Sequence, residues 1–485
     1  MPLPTIPSGN VFSSLPTGYN IDNSCRFNSA DSAYMHRTFG TPTNVDKWTF
    51  SGWFKRGKVS TGAAMKLFNA YVDGNAYHMI QWSGGTGADK INCYDHDTSG
   101  GTVDHGQTTS GLYRDPSAWY HICVIYDSGN ATATLRSRLF INGVEPSFSS
   151  DDNPSADQDS VINRAIAHQL GAVQTPAQYF DGYMAEVIFC DGQAYTPDNF
   201  GEYDSDSPTI WKPKDPSGLT FGDNGFWLDF EDSADLGKDV SGEGNHFTEV
   251  NFAATDQAVD SPTNSFCVMN HLDNEFVNAT FSEGNNQLVI ASGTKAHATS
   301  TMGVSAGKWY WEIECDASDG DDQSVAVVDR VSKDGSTDTY ATAYPNNYVY
   351  QSQGRYVGNG EVIDSDPDSF SAGDIIGVAL DLTNNKLYFA KNNTWQNSGD
   401  PTSGATGTGA ISITAPSSLT NGFYFPAVGS ETTSRGATWK CNFGGCSAFS
   451  VSSAANDGNG YGNFEYAPPS GYLALCSKNL GSDGG

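Results

Sequence analysis

The chain has 485 residues, enough for about three domains of ordinary size. Its 25 basic against 56 acidic residues leave a formal charge of −31, which repels a polyphosphate backbone and excludes nucleic acid as a partner. Fifty-three glycines and 12% aromatics, with few runs of Ala, Leu, Glu and Lys, exclude a helical bundle and predict an all-β chain. Charge of this size keeps a chain soluble, and a salt-rich medium that screens self-repulsion fits it equally.

Residues 1–18 carry four prolines and no periodicity, so they read either as an extended arm that docks on a neighbour or as a flexible end. The start has no basic or apolar leader pattern, and no stretch reaches the ~18 apolar residues of a membrane helix. Synthesis in the cytoplasm without a Sec signal, and no membrane insertion, are therefore expected.

Residues 19–205 read as the first of two tandem antiparallel β-sandwiches. Trp48 to Lys55 alternates as an inner strand does, and Lys66-Leu67-Phe68 and Tyr77 to Trp82 follow at turn-separated intervals. Trp119 to Asp127 and Arg138 to Val144 form a hairpin across the polar stretch 128–135, with Asn142-Gly143 as a turn signal. The stretch from Val161 to Leu170 has helical spacing, but its strand neighbours favour an extended reading. Residues 206–274 form a turn-rich connector with one short strand at Phe226, Leu228 and Phe230. Its aromatic content argues for order.

Residues 275–448 form the second sandwich, organised around Gly373 to Trp395. Ile376, Val378, Leu380 and Leu382 alternate, Asn384-Asn385 suits a two-residue turn, and Leu387 and Phe389 resume the alternation. That turn puts Leu382 opposite Leu387 and Leu380 opposite Phe389, all on one buried face. Residues 449–485 are a closing segment in which Tyr472, Leu473 and Leu475 add a last strand.

Nine cysteines are scattered without CxxC pairs, several inside apolar strands, and read as free buried thiols. His78, His96, His105, His121 and His168 have no companion motif for nucleophilic catalysis. His121 reads as a packed strand histidine. Carboxylate pairs such as Glu312/Glu314 and Asp229/Glu231 read as solvated surface. The chain is expected not to be an enzyme, and no cofactor is required. Calcium is the one metal weighed, at Asp95 and Asp97 or at Asp151 and Asp152, in stretches read as Gly- or Pro-bearing loops. For ligand binding the aromatic-rich loops stand out: Tyr344, Tyr348, Tyr350, Arg355 and Tyr356, and Trp82 at the head of a glycine-rich stretch.

The ordered motifs GKWYWEIE, GDIIGVALDL, KLYFAKNNTWQNSGDP, FYFPAVG and CNFG resemble a SPRY domain, a bent sandwich used for protein recognition. WTFSGWFKRG, WYHICVIYD, LFINGVE and FDGYMAEVIFCDGQ resemble the laminin-G-like, concanavalin-A-like jelly roll, a fold shared by lectins and glucanases. The ExDxxE-type strand motif of those glucanases is absent. The two sandwiches, the KDVSGEGNHFT stretch and the PPSGYLALCSKNL ending are together similar to structural proteins of marine tailed bacteriophages. That resemblance implies a virion protein assembled in the host cytoplasm, a tail fibre, spike or other appendage binding host-surface glycan or protein alongside other virion proteins. A capsid decoration or tail assembly protein that binds only virion partners is the alternative, and a polysaccharide depolymerase the third reading. A homo-oligomer is expected, such as a trimer, because exposed arms and sheet edges need partners.

Overall fold

Lys47–Arg56 forms the centre of a sheet, with Trp48, Phe50 and Phe54 turned into a core. The computed structural model describes residues 18–59, 61–98, 103–174, 177–205, 207–275, 279–291, 296–318, 322–329, 345–430 and 436–483. The proposed arm, residues 1–18, lies outside them except for Gly18. The described residues are β-strands and turns save short 3₁₀ turns and one helix, Ser477–Asp483. They divide into two compact units.

The first unit comprises Gly18–Thr263 with Ser282–Gly284. One of its sheets has seven strands, ordered Gln257–Ala258, Ser24–Phe27, Gly182–Asp191, Lys47–Arg56, Trp119–Asp127, Ser137–Ile141, with Phe226–Leu228 also paired to Gly182–Asp191. The other has eight, ordered Phe148–Asp152, Val103–Thr109, Ile91–Asp97, Ala76–Trp82, Met65–Asp73, Ala167–Leu170, Tyr34–Thr38, Thr248–Val250. Rings from both sheets meet in the core, as where Phe50 stacks on Phe68 at 5.0 Å.

The Asn142-Gly143 turn forms with both residues at positive φ, closed by Ile141 pairing with Val144. A Cβ on Gly143 would meet the Trp211 ring at 2.5 Å, so the glycine also seats that indole. Ala167–Leu170 is a strand, preceded by turns and bends. Residues 206–263, read above as part of a connector, supply strands to both sheets of this unit. Phe226, Leu228, Phe230, Leu236 and Phe247 enter its core. At one end of the sandwich the fully buried Asp191 carboxylate accepts from Thr43 N at 2.7 Å, Asn44 N at 3.1 Å, Asn224 N at 3.1 Å and Asn163 Nδ2 at 2.6 Å. Three loops hang on that one side chain.

The second unit comprises the described residues of Asn264–Phe281 and Asn285–Gly485. A seven-stranded sheet runs Met269–Glu275, Ala296–Ser300, Phe425–Ser430, Gln323–Val328, Tyr348–Gln351, Arg355–Gly358, Glu361–Asp364. A nine-stranded sheet includes Gln287–Ile290, Ala437–Asn442, Lys308–Ser318, Asp374–Asp381 and Lys386–Lys391 in that order.

The central hairpin forms with a shifted register: Leu380 faces Leu387 and Val378 faces Phe389. The loop is therefore the four residues Leu382 to Asn385. Asp381 Oδ1 accepts from Asn384 N at 2.9 Å, and Leu382 N donates to Gly307 O at 2.9 Å instead of across the hairpin. A slip of two preserves which face each side chain occupies, so the buried set is as expected.

The closing segment covers the outer face of the nine-stranded sheet. Phe464, Tyr472, Ala474 and Cys476 pack on Tyr310, Ala379 and Tyr388, and Leu473–Ala474 pairs in parallel with Lys308–Ser318. Glu312 lies in this seam, fully buried and not on solvated surface. It accepts from Tyr466 N at 2.8 Å, Glu465 N at 2.9 Å, Tyr310 Oη at 3.0 Å and Asn442 Nδ2 at 3.2 Å.

Two outcomes follow from these buried carboxylates. Asp191→Ala leaves several buried donors without an acceptor and lowers the unfolding free energy of the first unit by on the order of 3 kcal/mol, read by urea denaturation. Burial pushes the Glu312 carboxyl up to about 7 against the hydrogen bonds that favour its ionised form. The folded chain thus holds a proton that the unfolded chain has released, and stability drops as pH rises from the ordinary carboxylate range through about 7. Urea midpoints measured across that range slope downward for the wild type, and Glu312→Gln flattens the slope.

Candidate functional site

The strands Ala76–Trp82 and Ile91–Asp97 alternate strictly between buried and half-buried residues. The buried phase of each lines the core. The other phase, Tyr77, Met79, Gln81 and Asn92, Tyr94, His96, forms the outer face of the eight-stranded sheet.

Register builds this face in rows. Tyr71, Tyr77 and His96 stand side by side across three strands; Asn69, Met79, Tyr94 and Gly106 form the next row; Lys66, Gln81, Asn92 and Thr108 form the third. Tyr77 lies 6.0 Å from Tyr71, 6.1 Å from Tyr94 and 4.9 Å from His96, giving a continuous aromatic surface. A side chain on Gly106 would run into Cys93 O at 2.2 Å, so none flanks Tyr94 on that strand. The polar row is joined by hydrogen bonds: Lys66 Nζ donates to Gln81 Oε1, Gln81 Nε2 to Asn92 Oδ1 at 3.1 Å, and Asn92 Nδ2 to Thr108 Oγ1 at 2.7 Å. Aromatic rings beside fixed amides and hydroxyls match a sugar, which offers a C–H face to a ring and hydroxyls to amides.

The residues singled out from sequence lie elsewhere. Trp82 is on the inner phase, fully buried, stacked on Phe180 at 6.0 Å under the Arg56 guanidinium. Tyr348, Tyr350 and Tyr356 are buried in the core of the second unit, Tyr350 packing on Tyr356, Phe370 and Phe389. They fill the sandwich because their strands present these rings to the opposing sheet, and so they offer no ring to a ligand. Arg355 is half-buried, donates to Gln351 Oε1 and lies 3.6 Å from Asp322. Tyr344 lies outside the described residues.

Asp95, Asp97, Asp151 and Asp152 lie on strands and not in loops. Asp95 is buried and bonded to His78 Nδ1 at 2.9 Å, Ser160 Oγ at 3.1 Å and Val161 N at 3.1 Å. Asp97 pairs with Arg164 at 2.7 Å, Asp151 accepts from Gln107 Nε2 at 3.2 Å, and Asp152 accepts from Ser150 Oγ at 3.3 Å. Among the described residues no three His, Cys, Asp or Glu side chains gather as a metal site. All nine cysteines are buried. His121 is packed between Ser51 Oγ at 2.8 Å and Trp211 Nε1 at 3.1 Å, and burial lowers it to about 3.

Comparison with known proteins identifies both sandwiches. Residues 28–198 match the family model of the concanavalin A-like lectin/glucanases superfamily, and residues 308–445 match that of the SPRY domain. The chain carries a concanavalin-A-like domain followed by a SPRY domain. No curated protein matches. Among solved structures it is similar to the SPRY domain of human HERC1, at 18% identity over 38% of this chain and 99% of that one, TM-score 0.28. It is also similar to a putative carbohydrate binding protein from Bacteroides ovatus, at 14% identity over 48% of this chain and 58% of that one, TM-score 0.29. A third similar structure is domain 4 of the arabinanase AbnA from Geobacillus stearothermophilus in complex with arabinotriose, at 19% identity over 32% of this chain and 64% of that one, TM-score 0.24.

The His78 cluster beneath the face gives a pH signature. Burial alone lowers the imidazole, but Cys93 and Asp95 oppose it and hold it up to about 10. A raised histidine contributes stability that is complete below its unfolded value near 6.5 and lost as pH climbs through about 10. The urea midpoint of the first unit falls across that window in the wild type. Asp95→Asn makes the slope shallower and costs about 3–5 kcal/mol, the toll of breaking a buried ion pair.

Proposed function

We propose that this chain is a non-enzymatic virion protein, a tail fibre, spike or related appendage, that binds host-surface glycan through the outer face of the eight-stranded sheet. The observation that carries the binding role is the aromatic surface of Tyr71, Tyr77, Tyr94 and His96 beside the row Gln81, Asn92 and Thr108. Rings take the flat faces of sugars, and side chains already fixed by their neighbours take hydroxyls with little loss of rotamer freedom. The virion assignment rests on the order of the two domains and the terminal segments along the sequence.

A glycan array probed with the purified chain reads the binding role. Tyr77→Ala and Tyr94→Ala each weaken the bound glycans about tenfold or more, corresponding to about 1.4 kcal/mol or more, while near-wild-type melting shows the fold intact. Binding that survives both substitutions moves the site off this face. Cryo-electron microscopy of the particle reads the location: projecting copies with the face outward support the appendage role, and copies that tile the capsid with the face covered reject it.

A further inference from the structure

The polar row of the outer face is a chain of hydrogen bonds with one direction. An ammonium only donates, so Lys66 Nζ turns Gln81 Oε1 toward itself and leaves Gln81 Nε2 to donate to Asn92 Oδ1 at 3.1 Å. The far end is held in the same sense. Gln107 O only accepts, and Asn92 Nδ2 donates to it at 3.3 Å and to Thr108 Oγ1 at 2.7 Å. Both hydrogens of the Asn92 amide are thereby used, and the Thr108 oxygen is an acceptor. Its own hydrogen meets no acceptor among the described residues, and Gln81 Nε2 keeps a second hydrogen in the same position. Gln81, Asn92 and Thr108 are half-buried, so the row shows solvent a donor at each end and a lone pair of Asn92 Oδ1 between them. Lys66, 3% exposed, stands behind this row and sets its direction without reaching its surface. Tyr94, also half-buried, lies two residues along the strand from Asn92, about 7 Å away. That is the reach from the centre of a sugar stacked on Tyr94, through one ring substituent and one hydrogen bond.

We propose that this directed row selects the chemistry of the glycan: Thr108 Oγ1 and Gln81 Nε2 donate to uncharged oxygens of the chain seated on Tyr94, so the ligand is a neutral glycan of hydroxyl or acylated-amine groups and not a polymer of free amino sugars. This rests on the binding reading above and gives it a ligand class. A sugar hydroxyl accepts from Thr108 or Gln81 and donates to Asn92, and the carbonyl of an acylated amine accepts. A protonated amine only donates, so it leaves the Thr108 and Gln81 hydrogens unmatched in the contact. The net charge of −31 acts the other way and draws a polycation to the whole surface, so the row and the net charge favour opposite ligands.

The test measures binding of the full chain to equal-length oligosaccharides of glucose, N-acetylglucosamine and glucosamine, in salt high enough to screen the net charge. At least one of the two neutral chains binds about tenfold more tightly than the glucosamine chain. Thr108→Val removes that margin by weakening the neutral chain, and Thr108→Ser, which keeps the hydroxyl, retains it. Asn92→Asp sets an acceptor beside Thr108, turns the hydroxyl hydrogen inward and reverses the preference toward glucosamine. A glucosamine chain bound as tightly as the neutral ones, or a margin that survives Thr108→Val, overturns the directed row. Loss of binding on Tyr94→Ala under the same conditions then leaves the glycan reading standing. Failure of all three chains to bind, with other glycans bound on the array, overturns the ligand class, and a blank array removes the binding reading itself.

Discussion

Side chains on a strand alternate between two faces, and in this chain the phase of that alternation separates core from outer surface residue by residue. Along Ala76–Trp82 the phase that carries His78, Ile80 and Trp82 meets the opposing sheet, while Tyr77, Met79 and Gln81 face away. The same division runs through Ile91–Asp97 in register, so rows of outer residues assemble without any loop to position them. Moving the register by one residue would bury the tyrosines and expose Trp82. The core that fixes the phase is therefore what builds the site.

The all-β fold was legible because alternation and turn chemistry are local. Asn142-Gly143 adopts the double positive φ its sequence advertises, and the inner phase of Lys47–Arg56 is readable from Trp48, Phe50 and Phe54. What was less legible depends on distant partners. The hairpin loop after Asp381 takes four residues because that carboxylate caps the loop from inside and Gly307 accepts the amide of Leu382. Nothing in Phe226 to Phe247 states that these rings fill the first core and not an interface of their own.

The site illustrates the same limit more sharply. Aromatic content drew attention to Trp82 and to the tyrosines at 348, 350 and 356, but content carries no phase. Trp82 and Tyr77 belong to one strand and differ by an odd number of positions, which puts one in the core and the other on the surface. The signal that finds the face is the polar half of the alternation, Tyr-x-Met-x-Gln on one strand and Asn-x-Tyr-x-His on the next. Asp95, one of the candidate calcium ligands, shows the same dependence on phase. Asp95 shares the inner phase with Cys93, and a carboxylate turned into a core needs a partner there, which His78 provides.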